Sequence, residues 1–321
     1  MTVLVLTEEC DPTADRVISE LNRREVPVFR CDTSWFPSRL CVDAHLDGGD
    51  WSGVLLTPHR VVGLRDIRSV WYRRPTVFSF PEGMSGPERQ HAGWEAKFGL
   101  GGVLMSLPAL QVNHPSREAD ACYKPFQLAT AARCGLTVPD TIVTNDPLAV
   151  RPFADRVEGG RVAVKLMGSN VIFEEGGPKV CYTHPLDDHE LTDLSSVGVT
   201  AHLFQEWIDD KAYEVRVTAV GDALFAASIH TSSDAARVDW RSDFAALTYG
   251  VVNLPSQVAA GIRRYLSAMN LRYGAFDFVV TSKDDYIFLE CNPGGQFGWI
   301  EGNTTLPITR ALADLLERGQ Q

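Results

Sequence analysis

The sequence predicts an α/β protein, with a parallel sheet at the N-terminus and α+β lobes behind it. A β-α-β pattern opens the chain over residues 3–30. Paired apolar runs at 212–220 and 223–230, and again at 274–280 and 286–292, are joined by turn-forming residues and predict antiparallel hairpins. A chain of 321 residues, 45% hydrophobic and 22% charged, has enough apolar material for two or three domains.

The opening unit begins with an apolar run at 3–6, bounded by Glu8 and Glu9. Asp11-Pro12-Thr13 predicts a helix start, with Asp or Thr as cap and Pro in the first turn. Val17, Ile18 and Leu21 have helical spacing, and residues 26–30 form a second strand. Two strands joined through a helix pair in parallel. Further strands are expected at 40–45, 51–57 and 67–72, the last running into Arg73-Arg74-Pro75. Residues 80–87, rich in Pro and Gly, predict a loop, and 90–107 a helix broken by its glycines. Asn113-His114-Pro115-Ser116 is turn chemistry, so the first domain is drawn as 1–114.

The second domain is drawn as 115–202 and the third as 203–321. Residues 117–134 predict a helix with a break or new first turn at Pro125, and Gly135 stands where a C-cap glycine belongs. Residues 161–166 form a strand with Val162 and Val164 on one face and Lys165 on the other. A small polar turn at 167–170 leads into a strand at 171–173. The third domain holds strands at 203–208, 212–220 and 223–230, with Gly221-Asp222 as a hairpin turn. A helix at 255–269, the hairpin over 274–292 and an amphipathic helix at 309–318 complete it.

Several function classes fall away. A net charge of −11 argues against a nucleic-acid partner. The N-terminus lacks a basic n-region, and no apolar run is long enough to span a bilayer, so no membrane partner is expected. Seven scattered cysteines, with no CxxC pair, fit a reducing cytoplasm. His114, His184, His202 and His230 have no metal-ligand spacing. The first turn, Thr7-Glu8-Glu9-Cys10-Asp11, lacks the glycines of a dinucleotide fingerprint.

The closing hairpin carries the sharpest chemical signal. If its turn is centred between Lys283 and Asp284, Asp277 lies opposite Glu290. Two carboxylates directly opposite repel, and a bound cation removes that penalty. Asn292 follows Glu290 by two residues and shares its face. Two carboxylates and an amide oxygen make a hard set that suits Mg²⁺ held partly by nucleotide phosphates. Glycines in Pro293-Gly294-Gly295-Gln296 let the backbone approach a ligand closely.

The Phe-Asp-Phe strand at 276–278 and the Phe-Leu-Glu-Cys-Asn-Pro-Gly-Gly run at 288–295 resemble the metal-binding end of ATP-grasp enzymes. Other pieces of that pattern follow in order over residues 113–318. Lys124 and Lys165 resemble the two nucleotide lysines, and Gly168-Ser169 the loop that covers the phosphates. Gln205-Glu206-Trp207-Ile208 resembles the adenine-reading hinge, with Asp209 or Asp210 after it for the ribose hydroxyls. Arg216 resembles a phosphate arginine; pairing with Glu214 is the plain structural alternative. The opening strand, Asp32-Thr33-Ser34-Trp35-Phe36-Pro37 and Val70-Trp71-Tyr72-Arg73-Arg74-Pro75 resemble the leading domain of graspetide (omega-ester peptide, microviridin-type) maturases. Asp239-Trp240-Arg241 is similar to the Asp-x-Arg element of that family.

The resemblance implies an ATP-grasp fold behind a pre-ATP-grasp domain. It also implies an ADP-forming ligase that uses ATP and Mg²⁺ on a ribosomal precursor peptide, with a homodimer suggested on the same ground. Core Asp or Glu side chains become acylphosphates and then esters with Thr or Ser, or amides with Lys. On this view Asp277, Glu290 and Asn292 hold the metal, and Arg216, Asp239 and Arg241 serve catalysis. Lys124, Lys165, Gly168, Ser169, residues 205–208 and Asp210 bind ATP, and Arg73 or Arg74 holds the substrate acid. A ligase for a small amino acid or dipeptide stays open, as does a non-catalytic nucleotide- or peptide-binding module.

Overall fold

The computed structural model describes residues 1–168, 171–175 and 177–319, with backbone only at 173 and 174. The chain opens with β1 (Thr2–Thr7), α1 (Pro12–Arg23) and β2 (Val28–Cys31). Asp11 caps α1, its carboxylate accepting from the Thr13 and Ala14 amides at 3.0 and 3.1 Å. A small antiparallel sheet follows, of β3 (Cys41–Asp47), β4 (Asp50–Leu56) and β5 (Val61–Gly63). Then come β6 (Ile67–Arg74), α2 (Gly86–Met105) and β7 (Leu110–Val112). The expected parallel sheet has the order β2-β1-β6-β7.

Helix α2 is continuous over 20 residues, contrary to the expected glycine break. Its Ser85–Glu88 capping box and the buried Ala96, Leu100, Val103 and Leu104 hold it. Each interior glycine costs roughly 1 kcal/mol of helix propensity, an amount that packing of one face offsets. Asn113, expected in a plain turn, is buried and ties this unit to the C-terminal sheet. Its Oδ1 accepts from the amides of Arg272 and Tyr273, and its Nδ2 donates to the carbonyls of Tyr273 and Pro293.

The middle of the chain contains α3 (Pro115–Ala121), α4 (Lys124–Arg133), β8 (Thr141–Thr144) and α5 (Pro147–Ala154). The break before Pro125 separates α3 from α4, and Gly135 at φ 76° ends the second. Next are β9 (Val162–Lys165), β10 (Val171–Glu174), β11 (Gly177–Val180), β12 (His184–Pro185) and β13 (His202–Glu206). Strands β12-β9-β13-β8 form one antiparallel sheet, and β10 and β11 pair with each other. Strand β13, expected to open the third domain, therefore completes the central sheet.

The last unit comprises β14 (Lys211–Val220), β15 (Ala223–Thr231), α6 (Asp234–Val238), β16 (Leu247–Val251) and α7 (Ser256–Met269). It closes with β17 (Tyr273–Thr281), β18 (Tyr286–Asn292), α8 (Gly298–Thr304) and α9 (Ile308–Arg318). Its antiparallel sheet has the order β16-β15-β14-β17-β18. Phe276, Phe278 and Phe288 leave one face and pack on Tyr265 and Leu266 of α7 and Leu128 and Ala131 of α4. Full burial of each Phe contributes roughly 1.5–3 kcal/mol. Helix α9 packs instead beside α1 and β6, and its Leu312 and Leu316 share a core cluster with Val17, Leu21 and Trp71.

The facing of Glu290 depends on a bulge. Near the turn, Phe278 pairs with Phe288, and strict alternation would then put Glu290 on the core face with Phe288. The register shifts between residues 277 and 278, with Leu289 as the extra residue. Asp277 therefore opposes Glu290, as expected, but through a bulge and not through a turn centred between 283 and 284. Cys291 turns into the core, and Glu290 and Asn292 face the cleft.

Candidate active site

A cleft of about 1040 Å³ lies between the central sheet and the five-stranded sheet. Six basic and six acidic side chains line it among the described residues. The acidity of the whole chain thus does not extend into the cleft.

The wall formed by β14, β17 and β18 follows from alternation. Val215, Val217 and Phe276 point to the core, so Glu214, Arg216 and Asp277 point the other way. Arg216 lies directly opposite Asp277 in the β14–β17 register. Its Nη1 donates to both Asp277 oxygens at 2.7 and 2.6 Å, and both residues are buried. Glu214 pairs with Lys211 at 2.9 Å, so it is not the partner of Arg216.

Glu290 is held by two cations. Gln127 on α4 exchanges two 2.9 Å hydrogen bonds with the Cys291 backbone, which fixes that helix against β18. Lys124, one turn earlier, consequently reaches Glu290 and pairs with it. Arg241 Nη2 donates to Glu290 at 3.0 Å and to Asp277 at 3.4 Å. Burial pushes the Glu290 carboxyl up, but Lys124, Arg241 and Lys165 outweigh it and hold it well below the usual carboxylate range. Asp239 accepts from the Arg241 amide and Nη1 at 3.1 and 3.3 Å, which orients that guanidinium. Asn292 reaches both Asp277 and Glu290, at 3.4 and 3.3 Å.

These three residues fit a hard divalent cation. Rotation of the Asn292 amide by half a turn presents oxygen where nitrogen now stands, giving an all-oxygen set. Two carboxylates are the acidic share of that set, and no group of three His, Cys, Asp or Glu able to hold a metal occurs among the described residues. Mg²⁺ is commonly bound in this way, with phosphate oxygens and water completing the shell.

The opposite wall is different. Lys165 ends β9 and lines the cleft, and its ammonium makes no hydrogen bond or ion pair with a described residue. Burial lowers its pKa, with Lys124 and Arg241 adding to the effect and Glu290 opposing it. Gly168, Gln205, Glu206, Trp207 and Ile208 line the same space. Gln205 donates to Thr141 Oγ1 at 3.1 Å, and the Trp207 amide donates to the Arg161 carbonyl at 3.0 Å. Ser169 lies outside the described residues.

Two expected contacts are not at the cleft. Asp210 accepts from Ser282 Oγ at 3.3 Å on the exposed side, and Asp209 pairs with Arg161. Arg73 is buried between Asp11, at 3.2 Å, and the Gly294 carbonyl, at 2.6 Å. Its neighbour points the other way along the strand, and Arg74 lines the cleft beside Glu8, at 3.2 Å. The Gly294-Gly295 pair makes this junction possible. A Cβ on Gly295 would lie 2.6 Å from Ala275 Cβ, and one on Gly294 would lie 2.7 Å from Glu118 Oε1.

Sequence reasoning missed Glu118 and the aromatic group of Trp240, Phe244 and Trp299 in the cleft wall. Trp240 stacks on Trp299 at 4.8 Å and carries the Arg241 guanidinium 4.7 Å from its ring centre. The Asp-Trp-Arg run held a signal for the stacking, because Arg settles readily on an indole face.

Comparison with known proteins accords with this geometry. Residues 2–119 match the family described as the MvdD pre-ATP grasp domain. No curated protein matches the chain in sequence. The chain is similar to macrocyclase MdnC of Microcystis aeruginosa MRC, solved with precursor peptide MdnA. Identity is 29%, the TM-score 0.86, and coverage 99% of this chain and 100% of that one. It is also similar to a RiPP-associated ATP-grasp ligase of Chryseobacterium gregarium, solved with ADP and a leader and core peptide. Here identity is 28%, the TM-score 0.88, and coverage 98% and 96%. Macrocyclase MdnB of Microcystis aeruginosa MRC matches at 29% identity and TM-score 0.80, over 98% of each chain.

Proposed function

We propose that this chain, an ATP-grasp protein of the graspetide-maturase family, ligates side chains of a ribosomally made precursor peptide at the expense of ATP. The observation that carries this is convergence. Lys124, Lys165, the 205–208 hinge, Asp239, Arg241, Asp277, Glu290 and Asn292 come from segments far apart in sequence and line one cleft.

In this reading an Asp or Glu carboxylate of the peptide attacks the γ-phosphate of ATP and becomes an acylphosphate. A Thr or Ser hydroxyl, or a Lys amine, then displaces phosphate and closes an ester or amide ring. The substrate carboxylate and the triphosphate are both anionic, so the protein's main task is to hold like charges together. Lys165 meets the phosphates as a cation whose ammonium has no partner among the described residues. Lys124 and Arg241 share their charge between Glu290 and the nucleotide. Arg216, locked on Asp277, acts by fixing that carboxylate and not by touching phosphate. The hinge backbone takes the adenine edge, and Arg74 draws the substrate acid. A Mg²⁺ ion held by Asp277, Glu290 and Asn292 supplies neutralising charge to the phosphates. The division into 1–114, a central part and a C-terminal part fits the three main sheets, with the second boundary moved beyond Glu206, the end of β13.

The test is incubation with ATP, Mg²⁺ and a panel of synthetic peptides that pair Asp or Glu with Thr, Ser or Lys. The panel includes the peptide encoded beside the chain's gene. ADP release together with loss of one water per ring is expected. Unchanged peptide masses without ADP release contradict the proposal, and ADP release with small amino acids alone favours the small-substrate ligase.

A further inference from the structure

The reaction proposed above has a proton to dispose of, because a hydroxyl or ammonium must lose one as it attacks the acyl carbon. The best-connected acids of the cleft are poor acceptors. Asp277 is chelated by Arg216, Glu290 lies between Lys124 and Arg241, and Asp239 takes the Arg241 guanidinium and the Thr183 amide. Glu214, although burial raises its pKa against the pull of Lys211, is occupied by the Lys211 ammonium, and Glu206 accepts from the Asp140 amide.

Glu118, in the first turn of α3, is different. Its carboxylate makes no hydrogen bond or ion pair with a described residue, and its Oε2 is shielded from solvent. Its Oε1 lies against the Gly294 backbone, in the space a larger residue there would fill. Glu118 lines the cleft together with Arg74, Cys122 and Asn292. We propose that Glu118 is the general base that takes the proton from the acceptor hydroxyl or ammonium during ring closure, an assignment that rests on the ligase reading.

The step balances. The acceptor O–H or N–H bond breaks, and its proton passes to a Glu118 oxygen. The acceptor's electron pair forms the new bond to the acyl carbon. The bond between that carbon and the phosphate oxygen breaks, and inorganic phosphate leaves with the pair. Glu118 then returns its proton to water. Burial pushes the Glu118 carboxyl up to about 7, with Arg73 opposing the shift. Around it, burial also raises the Tyr72 hydroxyl and the Cys122 thiol, with Glu118 adding to both, so these two stay neutral. Arg73 is paired with Asp11, Arg74 with Glu8, and Lys124 with Glu290. Glu118 thus changes charge near neutral pH, where a general base works best.

Hydroxylamine separates the two half-reactions, since it captures an acylphosphate as a hydroxamate and needs no enzymic base. With the panel peptide most active on the wild type, ring closure and hydroxamate formation are measured from acid to alkaline pH. In Glu118→Gln the ratio of ring closure to hydroxamate is expected to fall roughly 10²–10⁴-fold. The wild-type ring-closure rate should rise with pH through about 7, as the base loses its proton, and the variant should lack that limb. An unchanged ratio overturns the assignment, as does an unchanged pH limb. Should Glu118→Gln fail to fold, Glu118→Asp carries the same test: withdrawing the carboxyl by one methylene lowers the ratio, and an unaltered ratio overturns the role. Absence of both hydroxamate and ring in the wild type would instead sink the ligase reading, and the role of Glu118 with it.

Discussion

The two walls of the cleft follow opposite electrostatic rules. On the wall of β14, β17 and β18 the charges are matched inside the protein: Arg216 with Asp277, Lys211 with Glu214, and Lys124 and Arg241 with Glu290. On the wall of β9, Lys165 is desolvated and has no partner among the described residues. One wall is therefore complete in the free protein. The other carries a cation whose burial is favourable only when an anion arrives. The contrast shows which charges build the site and which await the substrate.

Breaking the matched wall should have the largest effect on folding. Asp277→Ala leaves the buried Arg216 guanidinium without its carboxylate, so a loss of roughly 3–5 kcal/mol is expected. Urea unfolding followed by circular dichroism measures it, and a change below about 1 kcal/mol would refute the matched-wall account.

Lys165→Met should behave in the opposite sense. Removing a desolvated cation that has no partner among the described residues costs the free protein little or stabilises it, while nucleotide binding loses a charged contact worth roughly 1.5–3 kcal/mol. Titration calorimetry with ADP and Mg²⁺ should show affinity lowered by about 10–100-fold with the melting temperature kept or raised. Unaltered affinity would remove Lys165 from the nucleotide site.

The neighbouring arginines give the smallest and most local version of the contrast. Arg74 is half-exposed beside Glu8 and should cost less than about 1 kcal/mol of stability when changed to Ala. Its loss should appear as a raised KM for the peptide. Equal destabilisation by Arg73→Ala and Arg74→Ala would show that the two do not divide structure from binding as the geometry indicates.

Much of this was legible in the sequence because its signals are local. Alternation and turn residues located β14, β15, β17 and β18, and Asp11-Pro12 located the start of α1. The parallel N-terminal sheet followed from one β-α-β pattern. What depends on long-range packing was not legible. Glu118 looks like an ordinary helix-surface charge, and the approach of Gly294 from a segment far away in sequence was not legible. Arg216 has Glu214 two residues away on its own strand, yet its partner is the cross-strand Asp277. The Asp277–Glu290 pairing was expected from a symmetrical turn, whereas the Leu289 bulge produces it. Short strands such as β5, β11 and β16 have too few residues to display a period.

The central claim is that the matched carboxylates serve an ATP-dependent ligation and are more than a structural ion-pair network. Glu290→Gln tests it most directly, because it keeps the size of the side chain and removes its charge. With the active panel peptide and Mg²⁺ titrated to saturation, ADP release should fall by about 100-fold or more, the scale of losing a group that stabilises transition-state charge. Turnover equal to that of the wild type, with the same Mg²⁺ dependence, would contradict the account.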